Sequence, residues 1–383
     1  MHVRSAFLSL SLITLMASAS ISPAFAAADY RKLDAEIDRL REVGKVPGVA
    51  VAVVEGGKPS HLKTSGFRNA KGDPLTADTI MYAASLTKAA FAYYVMMLVD
   101  EGKLDLDKPI ATYLPKPLPD YEAYADLAND PRWREITPRM LMTHSAGFPN
   151  FRWLNPDEKL DIKFKPGSRY AYAGEGINLM QFVIEQGLDL KVGEDMNRRL
   201  FQPLGMTRSS MIWRADFAGN LADGQDENGK WEPHDDRSSV KAAGSLDTTI
   251  GDMGKLATAM ASGWGLSAKA RAEFVRPSLP IKSAHEFPTL TTEENPDNAK
   301  IGLAAGVGVV VHDAPQGHAF LKGGHNDITD NMLVCVEKGR RCVVILTNSG
   351  VGQRIIPALV KAALGETGTP WSWEYSRLPP LVP

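Results

Sequence analysis

Cysteine is almost absent from this chain of 383 residues: only Cys335 and Cys342 occur, and histidine is limited to eight. A disulfide-dense scaffold is thereby excluded, and no Cys/His spacing of the zinc-binding kind is present. An excess of charge of one sign is lacking too. Lys and Arg total 43 against 45 Asp and Glu, a net charge of −2, with the charges scattered along the chain. Such a balance provides no basic footprint for nucleic acid and none for an anionic membrane surface. Beyond the first thirty residues no apolar run is long enough to cross a bilayer as a helix. Internal repeats and low-complexity tracts are missing as well, which excludes solenoids and arrays.

What is present is the composition of an ordinary globular protein, 44% hydrophobic and 23% charged. The length suffices for a bilobed unit with ample core. At the N-terminus Arg4 precedes an apolar stretch, Ala6 to Met16, and Ala24-Phe25-Ala26 follows. A positive start, a short apolar centre and an A-x-A site predict a secretory signal peptide over residues 1–26. The expected mature protein is periplasmic and has no stable membrane anchor. Cys335 and Cys342 flank a Lys338-Gly339 turn between two strand-like runs, NMLVCV and CVVILTN. An oxidising compartment permits a cross-strand disulfide there, with two free thiols as the alternative until the register is known.

Apolar spacing at Tyr30, Leu33, Ile37 and Leu40 predicts a helix over 29–43, followed by strands at 51–55 and 60–67. Residues 85–101 read as a helix that is apolar nearly all round, hence buried, and Gly102 stops it. Helices are expected at 136–144, 176–189 and 251–262, and a polar surface loop at 280–300. Short strands follow at 304–312, 317–321, 332–336 and 342–346, then a helix at 353–364 and an extended surface tail from Pro370 to Pro383. Strands at both chain ends with a helical insertion predict one α/β domain over 27–383. Residues 27–82 and 303–383 would form its α/β lobe and residues 83–302 its mainly helical lobe.

The chemistry centres on Ser85-Leu86-Thr87-Lys88 at the start of the buried helix. A serine hydroxyl is a weak nucleophile and needs a base. Residues three apart share a helix face, so the Lys88 amine can reach Ser85 Oγ. Burial near another cation lowers a lysine's pKa and turns it into a proton acceptor. The same S-x-x-K spacing recurs at Ser60–Lys63 and Ser238–Lys241. The first runs into a strand, where such residues face opposite ways. The second lies in a polar loop. For Ser85 itself the competing role is a helix N-cap, and helix position alone does not separate the two.

Further ordered segments do. Leu141-Met142-Thr143-His144-Ser145-Ala146-Gly147-Phe148-Pro149 resembles "LLTHTSGLP", and Pro166-Gly167-Ser168-Arg169-Tyr170-Ala171-Tyr172 resembles "PGxxYxYSN". Pro203 to Met206 reads "PLGM", Ala243 to Leu246 resembles "AGGL", and Lys322-Gly323-Gly324 stands where "KTG" or "HGG" falls. Over roughly residues 45–350 the chain resembles the β-lactamase and penicillin-binding protein family, in its class C β-lactamase, D-alanyl carboxypeptidase and esterase branch. The resemblance implies an antiparallel sheet flanked by the terminal helices, with an inserted helical lobe and a site in the cleft between. It implies Ser85 as nucleophile, and Lys88 and Tyr172 as proton-transfer groups. Lys322, Gly324 and His325 would be substrate-binding: Lys322 through a charge favouring an anionic substrate, and His325 through its backbone N–H, an oxyanion donor with that of Ser85. No cofactor or metal is implied. The partner would be a small-molecule or short-peptide substrate.

Two departures stand out. Gly174 replaces the asparagine of "YSN", and Gly323 replaces the hydroxyl-bearing residue of "KTG". Both bear on β-lactam hydrolysis and neither touches acylation. Glu175 is expected to face solvent or make a structural bond, and His144 to be a satisfied structural residue. A Ser–His–Asp arrangement through His325 with Asp327 or Asp330 is disfavoured because Lys88 and Tyr172 already supply the base. The function expected is hydrolysis of a carboxylic ester, D-amino-acid peptide or β-lactam through an acyl-Ser85. The alternative is an inactive peptidoglycan-binding or filament-forming scaffold of the same fold.

Overall fold

A computed structural model describes residues 29–375, so the expected signal peptide lies outside the described residues. The segments forming the main sheet are β1 (Gly48–Glu55), β2 (Lys58–Gly66), β3 (Leu279–Pro280), β4 (Ala304–Ala305), β5 (Val310–Ala314), β6 (Gly317–Asn326), β7 (Thr329–Val336) and β8 (Arg341–Thr347). They pair antiparallel in the order β2-β1-β8-β7-β6-β5-β4-β3. The first and last strands of the chain thus meet at β1–β8.

Alternation along the strands builds two cores, one on each face of the sheet. On β1, Val49, Val51 and Val53 point to one core while Ala50, Ala52 and Val54 point to the other. β8 follows the same period of two, with Val343 and Ile345 opposed to Cys342, Val344 and Leu346. Helices α1 (Arg31–Gly44) and α5 (Ile356–Leu364) cover the first face. Helices α2 (Leu86–Asp100), α3 (Gly174–Gly187) and α4 (Ile250–Ser262) belong to the second core. Gly254 lets α4 come close: a Cβ there would lie 3.2 Å from that of Ala52. α2 is buried from Leu86 to Leu98, as its all-round apolarity predicts. Cys335 and Cys342 are direct cross-strand partners with Cα atoms 4.1 Å apart, and they form a disulfide.

Three segments differ from the sequence reading. The strand over 304–312 is interrupted, because Gly308 presses on α2. Its φ is +69°, and a Cβ there would lie 2.3 Å from that of Ala92. The 280–300 segment is more than a surface loop: Ile281, Glu286 and Asn298 are buried, and Asn298 Nδ2 donates to the carbonyls of Ile281 and Ser283. Of the expected surface tail, residues 376–383 lie outside the described residues, and the described part, Pro370 to Tyr375, is not laid out on the surface. Residues Trp371–Glu374 form a short helix, α6, with Trp373 and Glu374 buried. The last two segments pin each other: Trp373 Nε1 donates to Ser283 Oγ, and the Glu286 N–H donates to the Trp373 carbonyl. Aromatic burial outweighs the Pro-rich composition that suggested an extended tail.

Candidate active site

Ser85 sits at the turn into α2. Ala84, just before it, takes φ +47°, a region costly for a residue with a Cβ and typical of sites where the fold over-determines the backbone. Thr87 holds that turn, donating from Oγ1 to the Ala84 carbonyl at 2.6 Å and accepting from the Leu246 N–H at 3.1 Å. The Ser85 side chain makes no capping bond, which removes the N-cap role. Its Oγ instead lies 2.9 Å from Lys88 Nζ and 2.8 Å from Tyr172 Oη.

Lys88 is fully buried, and its amine donates to the Ala243 carbonyl at 2.6 Å. Asn178 on α3 steadies the turn that carries this carbonyl by accepting from the Ala243 N–H. Burial, reinforced by the Lys322 charge, holds the Lys88 pKa well below its usual 10.5. An uncharged amine beside a hydroxyl is a proton acceptor. Tyr172 goes the other way. Burial, with the nearby Glu286 carboxylate, pushes its phenol well above 10. Lys88 and Lys322 each lie 4.9 Å from the Tyr172 ring centre, yet burial outweighs them. Tyr172 is therefore a neutral donor, not a tyrosinate base.

His144 positions Tyr172. Its backbone carbonyl accepts from the Ala171 N–H, and its Nδ1 accepts from the Ala173 N–H at 3.1 Å. The imidazole packs 4.5 Å from the Tyr172 ring. Burial keeps the ring neutral, and Nε2 has no hydrogen-bond partner among the described residues. The structural role is as expected, but only one ring nitrogen is satisfied.

Gly324 brings β6 against the start of α2. A Cβ at that position would lie 2.7 Å from the Leu86 N and 3.1 Å from the Ser85 N, so only glycine fits. His325 follows and lines a cavity of about 1060 Å³ that also reaches Ser85, Lys88 and Tyr172. Lys322 stands on β6 and its charge acts on Lys88. It is buried, donates to the Gly323 carbonyl at 2.6 Å, and is not among the cavity's lining residues.

Both glycine departures are filled from elsewhere in the chain. At Gly174 a Cβ would meet the Phe151 ring at 2.4 Å, and the Gly174 N–H donates to Asn150 Oδ1 at 2.9 Å. At Gly323 a Cβ would fall 1.8 Å from Glu374 Oε1. Asn150, Phe151 and Glu374 all line the cavity, and sequence reasoning missed all three. For Asn150 a signal existed, since it directly follows the Gly147-Phe148-Pro149 segment. Glu175 is buried and bound to Arg152 through both carboxylate oxygens, the structural bond of the two expected outcomes. Glu286, His325 and Glu374 bring one ligand-type atom each within 4.8 Å of one another. That cluster could in principle offer three donors to a cation. Lys322 acts on both carboxylates, so part of their charge is already balanced within the protein and less is left for a multiply charged metal ion.

With this geometry in place, the family can be decided. A sequence model described as Beta-lactamase matches residues 33–363. The chain belongs to the beta-lactamase family. Among curated relatives, a lovastatin esterase of Penicillium rubens is 27% identical over 50% of this chain and 56% of its own length. Esterase EstB of Burkholderia gladioli is 27% identical over 55% of this chain and 60% of its own. The chain thus spans little more than half the length of the curated relatives it matches. The octameric penicillin-binding protein homologue from Pyrococcus abyssi superposes with a TM-score of 0.72 at 22% identity, over 89% of this chain and 78% of that one. This last likeness shows the fold: a mixed α/β architecture around a large antiparallel sheet.

Proposed function

We propose that this beta-lactamase family member is an exported serine hydrolase that cleaves a carboxylic ester or amide through an acyl-Ser85 intermediate, with esters turned over most readily. The observation that carries the reading is Ser85 Oγ, uncapped and held between Lys88 Nζ at 2.9 Å and Tyr172 Oη at 2.8 Å. With the Lys88 amine uncharged, the Ser85 O–H donates to its lone pair. As Oγ attacks the substrate carbonyl, that proton passes to Lys88 and the Oγ–C bond forms. The backbone N–H groups of Ser85 and His325 stabilise the oxyanion, a contribution of roughly 2.7–4 kcal/mol per donor. Tyr172, a neutral phenol, hands its proton to the leaving oxygen or nitrogen as that bond breaks and is reprotonated from Lys88. Water then repeats the sequence on the acyl-enzyme, releasing the acid and restoring Ser85. Export is supported by the Cys335–Cys342 disulfide, which suits an oxidising compartment.

The test is intact mass after incubation with a fluorophosphonate. One adduct per chain is expected, and none in Ser85→Ala. No adduct on the folded native protein would favour the scaffold alternative. Chromogenic esters, a chromogenic cephalosporin and D-Ala-D-Ala peptides then rank the substrates, with esters expected first.

A further inference from the structure

The cavity wall facing Ser85 carries an excess of negative charge. Asp226, Glu227, Asp327, Asp330 and Glu374 line it, and Lys88 is the sole Lys or Arg among the described lining residues. Lys88 adds little positive charge, because burial favours its neutral amine, and Lys322, buried behind the wall and acting on Glu286 and Glu374, offsets only part of the charge of the five carboxylates. An anionic substrate group entering this cleft meets repulsion, and a cationic one meets attraction.

One carboxylate is built to act as a point of recognition. Glu374 is only 4% exposed, and its Oε1 has no hydrogen-bond partner among the described residues. A buried carboxylate oxygen without a donor is costly and rarely retained without a use. It is held in place by α6, whose Trp373 is anchored to Ser283, and by Gly323, which leaves room for it. Glu286 Oε2, also buried, lacks a partner as well, so two acceptor oxygens stand in one region near His325. Phe287 and Tyr375 line the same cavity and can cover the alkyl groups of an amine, whose charge is stabilised by aromatic faces.

Building on the hydrolase reading above, we infer that the cleft selects substrates bearing a positively charged amine and that Glu374 is the counter-ion that recognises it.

The test compares three p-nitrophenyl esters of matched length at low and high salt near pH 9, where the Glu374 carboxylate is charged. They carry 4-(trimethylammonio)butyrate, its neutral isostere 5,5-dimethylhexanoate, and the anionic glutarate monoester. The expected order of kcat/KM is cationic, neutral, anionic. The cationic ester should lead the neutral one by about tenfold at low ionic strength, a lead that shrinks with salt. Glu374→Gln should cut the cationic-to-neutral ratio several-fold. Asp327→Asn, at an exposed rim position, should cut it by a smaller factor and provides a second variant should Glu374→Gln fail to fold. A ratio at or below one, or a ratio untouched in both folded variants, overturns the inference while leaving the hydrolase intact. If no ester turns over and no phosphonate adduct forms, the hydrolase reading fails by itself. Calorimetry with the N-methylamide of 4-(trimethylammonio)butyrate then decides the subsite: heat of binding lost in Glu374→Gln sustains it, and none in the native protein removes it.

Discussion

The two sides of the cleft are constructed differently. On the acylating side, each group is held by direct hydrogen bonds: Ser85 and Lys88 share the first turn of α2, and His144, from another segment, clamps the backbone on both sides of Tyr172. On the substrate-facing side, the groups come from distant segments and meet at glycines. Phe151 fills the space at Gly174, and Glu374 from α6 fills the space at Gly323. The first side carries the motif residues on which the family resemblance rests, and the second is where this chain departs from those motifs. Under the acyl-Ser85 mechanism proposed above, a wall rebuilt around an unaltered acylating group would change the substrate without changing the chemistry.

The largest effect that can break this comparison lies on the acylating side. Lys88→Met should lower kcat for every ester by roughly 10²–10⁴-fold, the usual range for losing a general base. Fluorophosphonate labelling should slow in parallel. The pH profile checks the assignment. In the native protein, kcat/KM for a neutral ester should rise from the acid side as Lys88 loses its proton, below the ordinary lysine range because the charged form is disfavoured by burial. Lys88→Met should abolish that limb. If the limb persists, the base is another group.

A wall substitution should behave otherwise. Gly323→Ala puts a Cβ 1.8 Å from Glu374 Oε1, so the buried Glu374 carboxylate has to move from its place. Overpacking of this kind costs about 1–3 kcal/mol, visible as a lowered Tm. The phosphonate adduct should still form, while the ranking of substrates by charge changes. Equal losses in labelling and in substrate ranking would mean that the two sides are one mechanical unit.

The same division explains what could be read from the amino-acid order. The Ser85–Lys88 pair was legible because a helix fixes the relation of residues three apart. The sheet was legible at its centre because β1, β7 and β8 alternate cleanly between two cores. Tyr172 needed its surrounding motif, since spacing relates it to nothing. Gly174 and Gly323 announced that side chains were missing, but what replaced them depends on contacts across the fold. Glu374 lies about fifty residues from Gly323, in a tail whose Trp and Pro content suggested exposure. The direction of the Tyr172 pKa was hidden for a similar reason. Proximity of two lysines argues for lowering, and only full burial, a tertiary property, reverses it.

The smallest expected effect sharpens the wall's side of the comparison. Burial and the neighbouring Glu286 carboxylate raise Glu374 to about 8, against a smaller opposing pull from Lys322. Asp330 adds to the rise, and His325 and Tyr375 stand beside it. Below that pH Glu374 holds a proton and contributes no charge; above it the carboxylate is present. Preference for a cation should therefore strengthen as pH rises through about 8. The 4-trimethylammonio ester keeps its charge throughout and serves as the probe, with the neutral 5,5-dimethylhexanoate as reference. The kcat/KM ratio should climb a few-fold between pH 7 and 9, because cation binding and loss of the Glu374 proton are linked. Dividing by the neutral ester removes the Lys88 limb that both substrates share. In Glu374→Gln the ratio should stay flat across that window. A climb that survives the substitution would move the titrating charge to another carboxylate of the wall, and a fall with rising pH would reverse the sign of the field assigned to it.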